Sequence, residues 1–237
     1  MVWNEETAAE QLQAGLSAAE RARYQQLTSA PRQRQYLASR WLLRHQLATE
    51  LGASPTELDI VYPAGRPPYS RDTSLSLGLA HSGSACLSLL ATSTRAGCDI
   101  ESVRPRRFAP ERLAEQYFHA DEARDLAAAP DAERLADFYR LWTLKEAHLK
   151  ALGLGLAAGL DRAIFSLRPR LVCRQALTTE PWLYGALELP LGTEHCALAV
   201  ASAPAAEIRL ERFYTMGADA PCRQPITRLW ETASIAA

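Results

Sequence analysis

No apolar run in these 237 residues approaches the ~20 that a membrane-spanning helix needs, so no membrane role is expected. The five cysteines, Cys86, Cys98, Cys173, Cys196 and Cys222, are scattered and form no C-x-x-C. An odd, widely spaced set excludes a disulfide framework and a zinc knuckle, and buried thiols are expected. The histidines include no H-x-x-x-H pair. Any metal would therefore have to be held by carboxylates, which points to a hard ion such as Mg²⁺. An excess of one charge is missing too. The 26 basic and 27 acidic residues leave a formal net charge of −1, which rules out wholesale electrostatic binding to nucleic acid. There is no G-x-S-x-G elbow and no P-loop lysine. The stretch Gly153-Leu-Gly155-Leu-Ala-Ala-Gly159 fails as a dinucleotide loop, because it follows a helix and its third glycine is one residue late. It reads as a helix stop and turn. The first residues, Met1-Val2-Trp3-Asn4-Glu5-Glu6, are acidic and polar, unlike a signal or transit peptide, so a cytoplasmic protein is expected.

What is present is an ordinary globular balance, 48% hydrophobic and 22% charged. The first fifty residues read as helices. Ser17-Ala-Ala-Glu20 has capping-box spacing, Pro31 suits a first turn, and Gly52 suits a helix end. Strand texture follows at 58–62, at Leu75, Leu77 and Leu79, at 85–91 and at 97–101, with His81-Ser-Gly-Ser84 as an interruption. Beyond the basic boundary Arg104-Pro-Arg-Arg107, helices are expected at 110–118, 121–128 and 131–152. Strands are expected at 162–167, 171–177, 182–189, 196–202 and 207–214. Helices-then-strands occurs twice, which predicts an α+β fold of two similar halves, 1–105 and 106–237. The tail after Gly217 carries few pattern signals and is expected to be loose.

Several residues break the rules of their own element. In the helix 131–152, Phe138, Leu141, Trp142, Leu149 and Leu152 share one arc, and Lys145 falls in its middle. Glu146 and Lys150 line the edge of that arc. They could be a surface i,i+4 pair, with Lys145 snorkelling its ammonium to water. Alternatively, this edge faces a cleft that holds anionic groups. Arg40 and Arg44 lie within the apolar side of the helix 32–51, which calls for either a buried carboxylate partner or a phosphate. Asp99 and Glu101 point to the same side of a strand. That side is either solvent or, with Glu146, the ligand set of a Mg²⁺ ion. A lone His81 at a strand end is more often structural than catalytic.

Taken together, Gly97-Cys98-Asp99-Ile100-Glu101 and Trp142-Thr143-Leu144-Lys145-Glu146-Ala147-His148-Leu149-Lys150 resemble the paired signature of 4′-phosphopantetheinyl transferases. The family form is G-(V/I)-D-(I/L/V)-E followed some forty residues later by W-(S/T)-x-K-E-(A/S)-x-x-K. Gly65-Arg66-Pro67 resembles the family's G-K/R-P. Leu79-Ala80-His81-Ser82 resembles its S-H-S segment, with Ala80 in place of the first serine and Gly78 in place of a common asparagine. Phe118 to Glu122 resembles F-(S/T)-x-x-E, and Gly153-Leu-Gly155-Leu156 resembles the stretch after the second signature. The layout is similar to the two-half, monomeric surfactin-synthetase-activating class, not to the short trimeric class.

The resemblance implies an enzyme of the holo-[acyl-carrier-protein] synthase type with its site in the cleft between two α+β halves. Such an enzyme moves phosphopantetheine from coenzyme A to a serine of an acyl or peptidyl carrier protein, in fatty-acid, polyketide or nonribosomal-peptide synthesis, and releases 3′,5′-adenosine bisphosphate. It implies Mg²⁺ on Asp99, Glu101 and Glu146. Glu146, or a metal-bound water, would accept the serine proton. Lys150 and Lys145 would lie on the phosphates, and Glu122 would stand near the metal's waters. Arg66, His81 and a basic residue near the start of the long helix, with Arg32 as first choice, would hold the 3′-phosphate and adenine; Arg40 and Arg44 could instead support the site structurally. Two rivals use the same residues differently: a carrier-binding module without activity, and a Mg²⁺-dependent nucleotide hydrolase.

Overall fold

The computed structural model describes residues 9–105, 109–191 and 194–203, and the strands 211–214, 222–225 and 231–234. Three helices open the chain: α1 (Ala9–Ala14), α2 (Ala18–Gln25) and α3 (Ala30–Leu51). The capping box expected at Ser17 is formed. Ser17 Oγ accepts from the Glu20 amide at 3.3 Å, and the Glu20 carboxylate accepts from the Ser17 amide at 2.9 Å. Gly52 ends α3 in the left-handed region, with φ 64°.

The short strands β1 (Ile60–Val61) and β2 (Tyr69–Ser70) pair antiparallel and flank the Gly65-Arg66-Pro67 turn. The hairpin of β3 (Ser76–Ser82) and β4 (Ala85–Ala91) turns at Gly83, φ 55°. His81 and Ser82 therefore belong to a strand, where the sequence suggested an interruption. Strand β5 (Arg95–Ser102) follows. Helices α4 (Pro110–Tyr117), α5 (Ala120–Ala128) and α6 (Asp131–Ala151) lie within a residue or two of their expected bounds. Then come β6 (Ile164–Ser166), β7 (Val172–Gln175), β8 (Leu183–Leu191), β9 (Glu194–Ala203), β10 (Glu211–Tyr214), β11 (Cys222–Pro225) and β12 (Glu231–Ser234). Of the strand expected at 207–214, residues 207–210 lie outside the described residues, as do Arg106 and Arg107 of the basic boundary. The tail departs from expectation: β11 pairs with β10, and β12 adds an edge to β8. Main-chain pairing along neighbouring strands needs little side-chain pattern, which explains the weak sequence signal.

The fold is α+β. Its central sheet runs β12-β8-β9-β5, all antiparallel. Strand β5 belongs to residues 1–105, yet it hydrogen-bonds to β9 of 106–237, so the two stretches share this sheet. Alternation along β9 separates two cores. Ala197, Ala199, Ala201 and Ala203 pack in the cluster that contains α6, whereas Cys196, Leu198 and Val200 join Cys98, Ile100, Ala80 and Leu87. The row of alanines lets α6 approach the sheet closely. Helix α3 covers the β3–β4 hairpin through Leu43 and Leu47 against Leu58, Ile60 and Leu77. Cys86, Cys98, Cys173 and Cys196 are buried and make no disulfide, as expected.

Candidate active site

The face of β5 opposite Cys98 and Ile100 carries Gly97, Asp99 and Glu101, and it meets α6. A Cβ on Gly97 would lie 2.3 Å from the Ala147 carbonyl oxygen and 2.4 Å from the Ala151 amide nitrogen. Only glycine permits strand and helix to touch here. That contact brings Lys150 to Asp99, with Nζ donating to Oδ1 at 2.6 Å. Asp99 is buried, 5% exposed, so a solvent-facing role for this side of the strand does not hold. Its second oxygen, Oδ2, is buried with no hydrogen-bond partner. Burial pushes the Asp99 carboxyl up to about 7. Lys150 opposes the rise, and Glu146 and Glu101 add to it. Burial also raises Glu146, with Lys150 lowering and Glu101 raising it. Glu101 accepts from Ser82 Oγ at 2.8 Å, and the same Oγ accepts from the Ser102 amide at 3.1 Å. Ser82 thus fastens β3 to the end of β5.

The carboxylates of Asp99, Glu101 and Glu146 are therefore neighbours that feel one another's charge, with one ammonium between them. Among the described residues no three His, Cys, Asp or Glu side chains stand in a ligating arrangement, and Lys150 takes one oxygen of Asp99. The donor set nevertheless suits a hard divalent cation. All of its atoms are carboxylate oxygens, one is buried without a partner, and their mutual repulsion is what a cation would relieve.

A pocket of about 260 Å³ adjoins this cluster. It is lined by Arg66 and Pro67 of the β1–β2 turn, Gly78 of β3, Gly97 of β5, and Lys150 and Leu154. Arg66 and Lys150 are thus brought to one cavity from residues far apart in sequence. His81 on β3 has its imidazole held below the ordinary value chiefly by loss of surrounding water; repulsion from Lys150 and Arg40 adds to this, and a backbone hydrogen bond and the Glu101 carboxylate oppose it. Arg32 is exposed in the first turn of α3 and is not among the pocket's lining residues.

Two arginines of α3 separate cleanly. Arg44, 1% exposed, pairs with Glu20 and donates to the carbonyls of Pro55 at 2.6 Å and Leu58 at 3.1 Å. It took the carboxylate partner. Arg40 lies 3.6 Å from the Tyr62 ring centroid and 5.0 Å from that of Tyr36, and its Nε is buried without a partner. Its charge reaches His81. Of the two partners that its place on an apolar helix side allowed, no carboxylate pairs with Arg40 among the described residues; it meets two aromatic rings instead.

Lys145 corrects an expectation. Instead of reaching the phosphates, it is 0% exposed, and its ammonium donates to Glu122 Oε2 at 2.6 Å, to Leu160 O at 2.8 Å and to Ala163 O. All three donors are used inside the core. Glu122 is corrected with it. Its Oε2 also accepts from the His119 amide at 3.1 Å and its Oε1 from the Phe165 amide at 2.9 Å, so it does not stand beside a metal's waters.

With this geometry in view, similarity to known proteins decides the family. Residues 95–200 match the model of the 4′-phosphopantetheinyl transferase superfamily. The 4′-phosphopantetheinyl transferase HetI of Nostoc is 32% identical over 202 residues, covering 84% of this chain and 83% of the relative. This chain belongs to the 4′-phosphopantetheinyl transferase superfamily. The transferase AcpT of Escherichia coli O157:H7 is 37% identical over 130 residues, 54% of this chain and 63% of that protein. A Synechocystis relative is 34% identical over 157 residues and is likewise covered over 63% of its length. The superfamily match begins at the first residue of β5 and ends within β9, so it contains the Asp99–Lys150 contact, all of β5 and β8 and most of β9. No helix among the described residues is long and apolar enough to cross a membrane.

Proposed function

We propose that this chain transfers 4′-phosphopantetheine from coenzyme A to a serine of acyl or peptidyl carrier proteins, releasing 3′,5′-adenosine bisphosphate. The observation that supports the reading is the Asp99–Lys150 contact, with Glu146 and Glu101 beside it, next to a pocket lined by both Lys150 and Arg66. A pyrophosphate carries several negative charges, and its substitution requires cations, orientation and a proton acceptor.

Asp99, Glu101 and Glu146 would hold Mg²⁺, which when bound neutralises charge on the pyrophosphate. Lys150 can exchange Asp99 for a phosphate oxygen and hold it. Glu146, whose carboxyl is raised by burial, is suited to take the proton of the carrier serine as its oxygen attacks the phosphorus that bears the pantetheine arm. That phosphorus–oxygen bond forms while the one to the adenosine bisphosphate breaks. Arg66 and His81 hold the nucleotide end, and Arg40, with its buried Nε and its proximity to His81, is a better third partner for the 3′-phosphate than Arg32.

The test is mass spectrometry of several apo-carriers incubated with the protein, coenzyme A and Mg²⁺. A mass gain of one phosphopantetheine on the carrier supports the reading. Loss of coenzyme A with no carrier present would favour a hydrolase, and carrier binding without mass gain would favour a binding module.

A further inference from the structure

Lys145 and Glu122 form an ion pair with both side chains 0% exposed. Such a pair is costly to bury. Replacement by apolar residues is often neutral or stabilising, so stability alone does not explain it. Its geometry offers a different explanation. Lys145 precedes Glu146 on α6, and its ammonium is fixed by three acceptors: Glu122 of α5, and the carbonyls of Leu160 and Ala163 in the stretch that leads into β6. Glu122 in turn holds the His119 amide at the start of α5 and the Phe165 amide in β6. Every one of these bonds is directional, and together they fix both the rotation of α6 and its position along its axis. Gly97 presses on the other side of the helix, at Ala147 and Ala151. Apolar contacts with Phe138, Leu141 and Leu149 would tolerate small slides and rotations that these bonds do not.

We infer that Lys145 and Glu122 are positioning residues for Glu146 and Lys150, fixing the rotation and axial position of α6 so that both side chains face Asp99. The inference rests on the transfer reading above. A rotation of α6 by a few tens of degrees would carry the Glu146 carboxylate away from Asp99 and Glu101; of the pocket wall it would move Lys150 and leave Arg66, Pro67 and Gly78 in place. The pair should therefore govern the catalytic rate more than the binding of coenzyme A.

The double substitution Lys145→Met with Glu122→Leu removes the directional bonds and leaves no unpaired buried charge. Three measurements are made on it and on the wild type: the melting temperature, coenzyme A affinity by calorimetry, and steady-state transfer to an apo-carrier. The expected result is a folded protein with coenzyme A affinity within about threefold of wild type and kcat down by tenfold or more. A folded double variant with wild-type kcat overturns the inference, and so does a kcat loss matched by an equal loss of coenzyme A affinity. If the double variant does not fold, Glu122→Gln, which keeps one acceptor for the ammonium, is read by the same split and the same criteria. Absence of transfer by the wild type itself counts against the transfer reading, which these variants then no longer address; in that case the orientation of α6 is compared through nuclear Overhauser contacts between the Lys150 and Asp99 side chains in wild type and variant. Retained contacts overturn the positioning role, and their loss in a folded variant supports it.

Discussion

Gly97 and Ala147 stand so close that a methyl group on the first would lie 2.3 Å from the carbonyl oxygen of the second. Neither backbone can yield without moving β5 off β9 or α6 off the sheet. Gly97→Ala should therefore destabilise the fold by about 1–3 kcal/mol and misplace Lys150 relative to Asp99. Urea unfolding and the transfer assay check this together. Wild-type stability with wild-type transfer would show that the helix contact is looser than the structure has it.

Asp99 should make stability depend on pH in a direction opposite to the usual salt-bridged carboxylate. Its folded value, about 7, lies above the ordinary 3.8, so the folded state binds a proton that the unfolded state has released. Stability of the metal-free protein should fall as pH rises from about 4 through 7. Asp99→Asn should flatten that slope and also cut transfer more than tenfold. Thermal melts across this range with chelator present are the check, and an identical slope in the variant would count against the assignment.

His148 gives the opposite sign. It is fully buried, meets the Trp182 ring edge to face with ring centroids 4.4 Å apart, and has Nδ1 3.1 Å from Tyr184 Oη. Burial holds its imidazole at about 4, below the ordinary 6.5, and the Lys145 charge adds to the depression. The unfolded state binds its proton first as pH falls, so stability should be lost between pH 6.5 and 4, on the order of 3 kcal/mol in full. His148→Gln should reduce this acid loss in a denaturant-midpoint series. A variant as acid-sensitive as wild type would place the effect elsewhere.

The arginines of α3 should divide by function. Arg40→Ala should raise KM for coenzyme A several-fold and leave KM for 3′-dephospho-coenzyme A nearly unchanged, because only the former carries the phosphate. Arg44→Met should instead lower stability by about 3–5 kcal/mol, since it strands the buried Glu20 carboxylate. If Arg40→Ala shifts both substrates equally, Arg40 does not touch the 3′-phosphate.

Lys150→Ala should lower kcat more than it weakens coenzyme A binding, because charge builds on the phosphate oxygens in the transition state. The side chain is 35% exposed, so the fold should tolerate its loss. An unchanged kcat would remove Lys150 from the reaction.

The sequence by itself determined the helices and the longer strands before Gly217, the capping box at Ser17, the helix end at Gly52, and the carboxylates and lysines of the two signatures. These depend on local physics, the period of apolar residues and the chemistry of a cap or turn, and local physics is written in neighbouring letters. The sequence also showed that Arg44, Arg40 and Lys145 sit on apolar helix sides, but not what each would meet there. That was decided by partners 15 to 24 residues away or more: Glu20 for Arg44, Tyr62 for Arg40, and Glu122, Leu160 and Ala163 for Lys145. A buried cation takes whichever acceptor the packing delivers, and no periodicity encodes that choice. The same holds for Asp99 and Lys150, 51 positions apart. Their types were legible as a motif, but their contact exists because Gly97 lets β5 and α6 touch. Strand β12 needed only the free edge of β8, a main-chain requirement that leaves almost no trace in side-chain pattern.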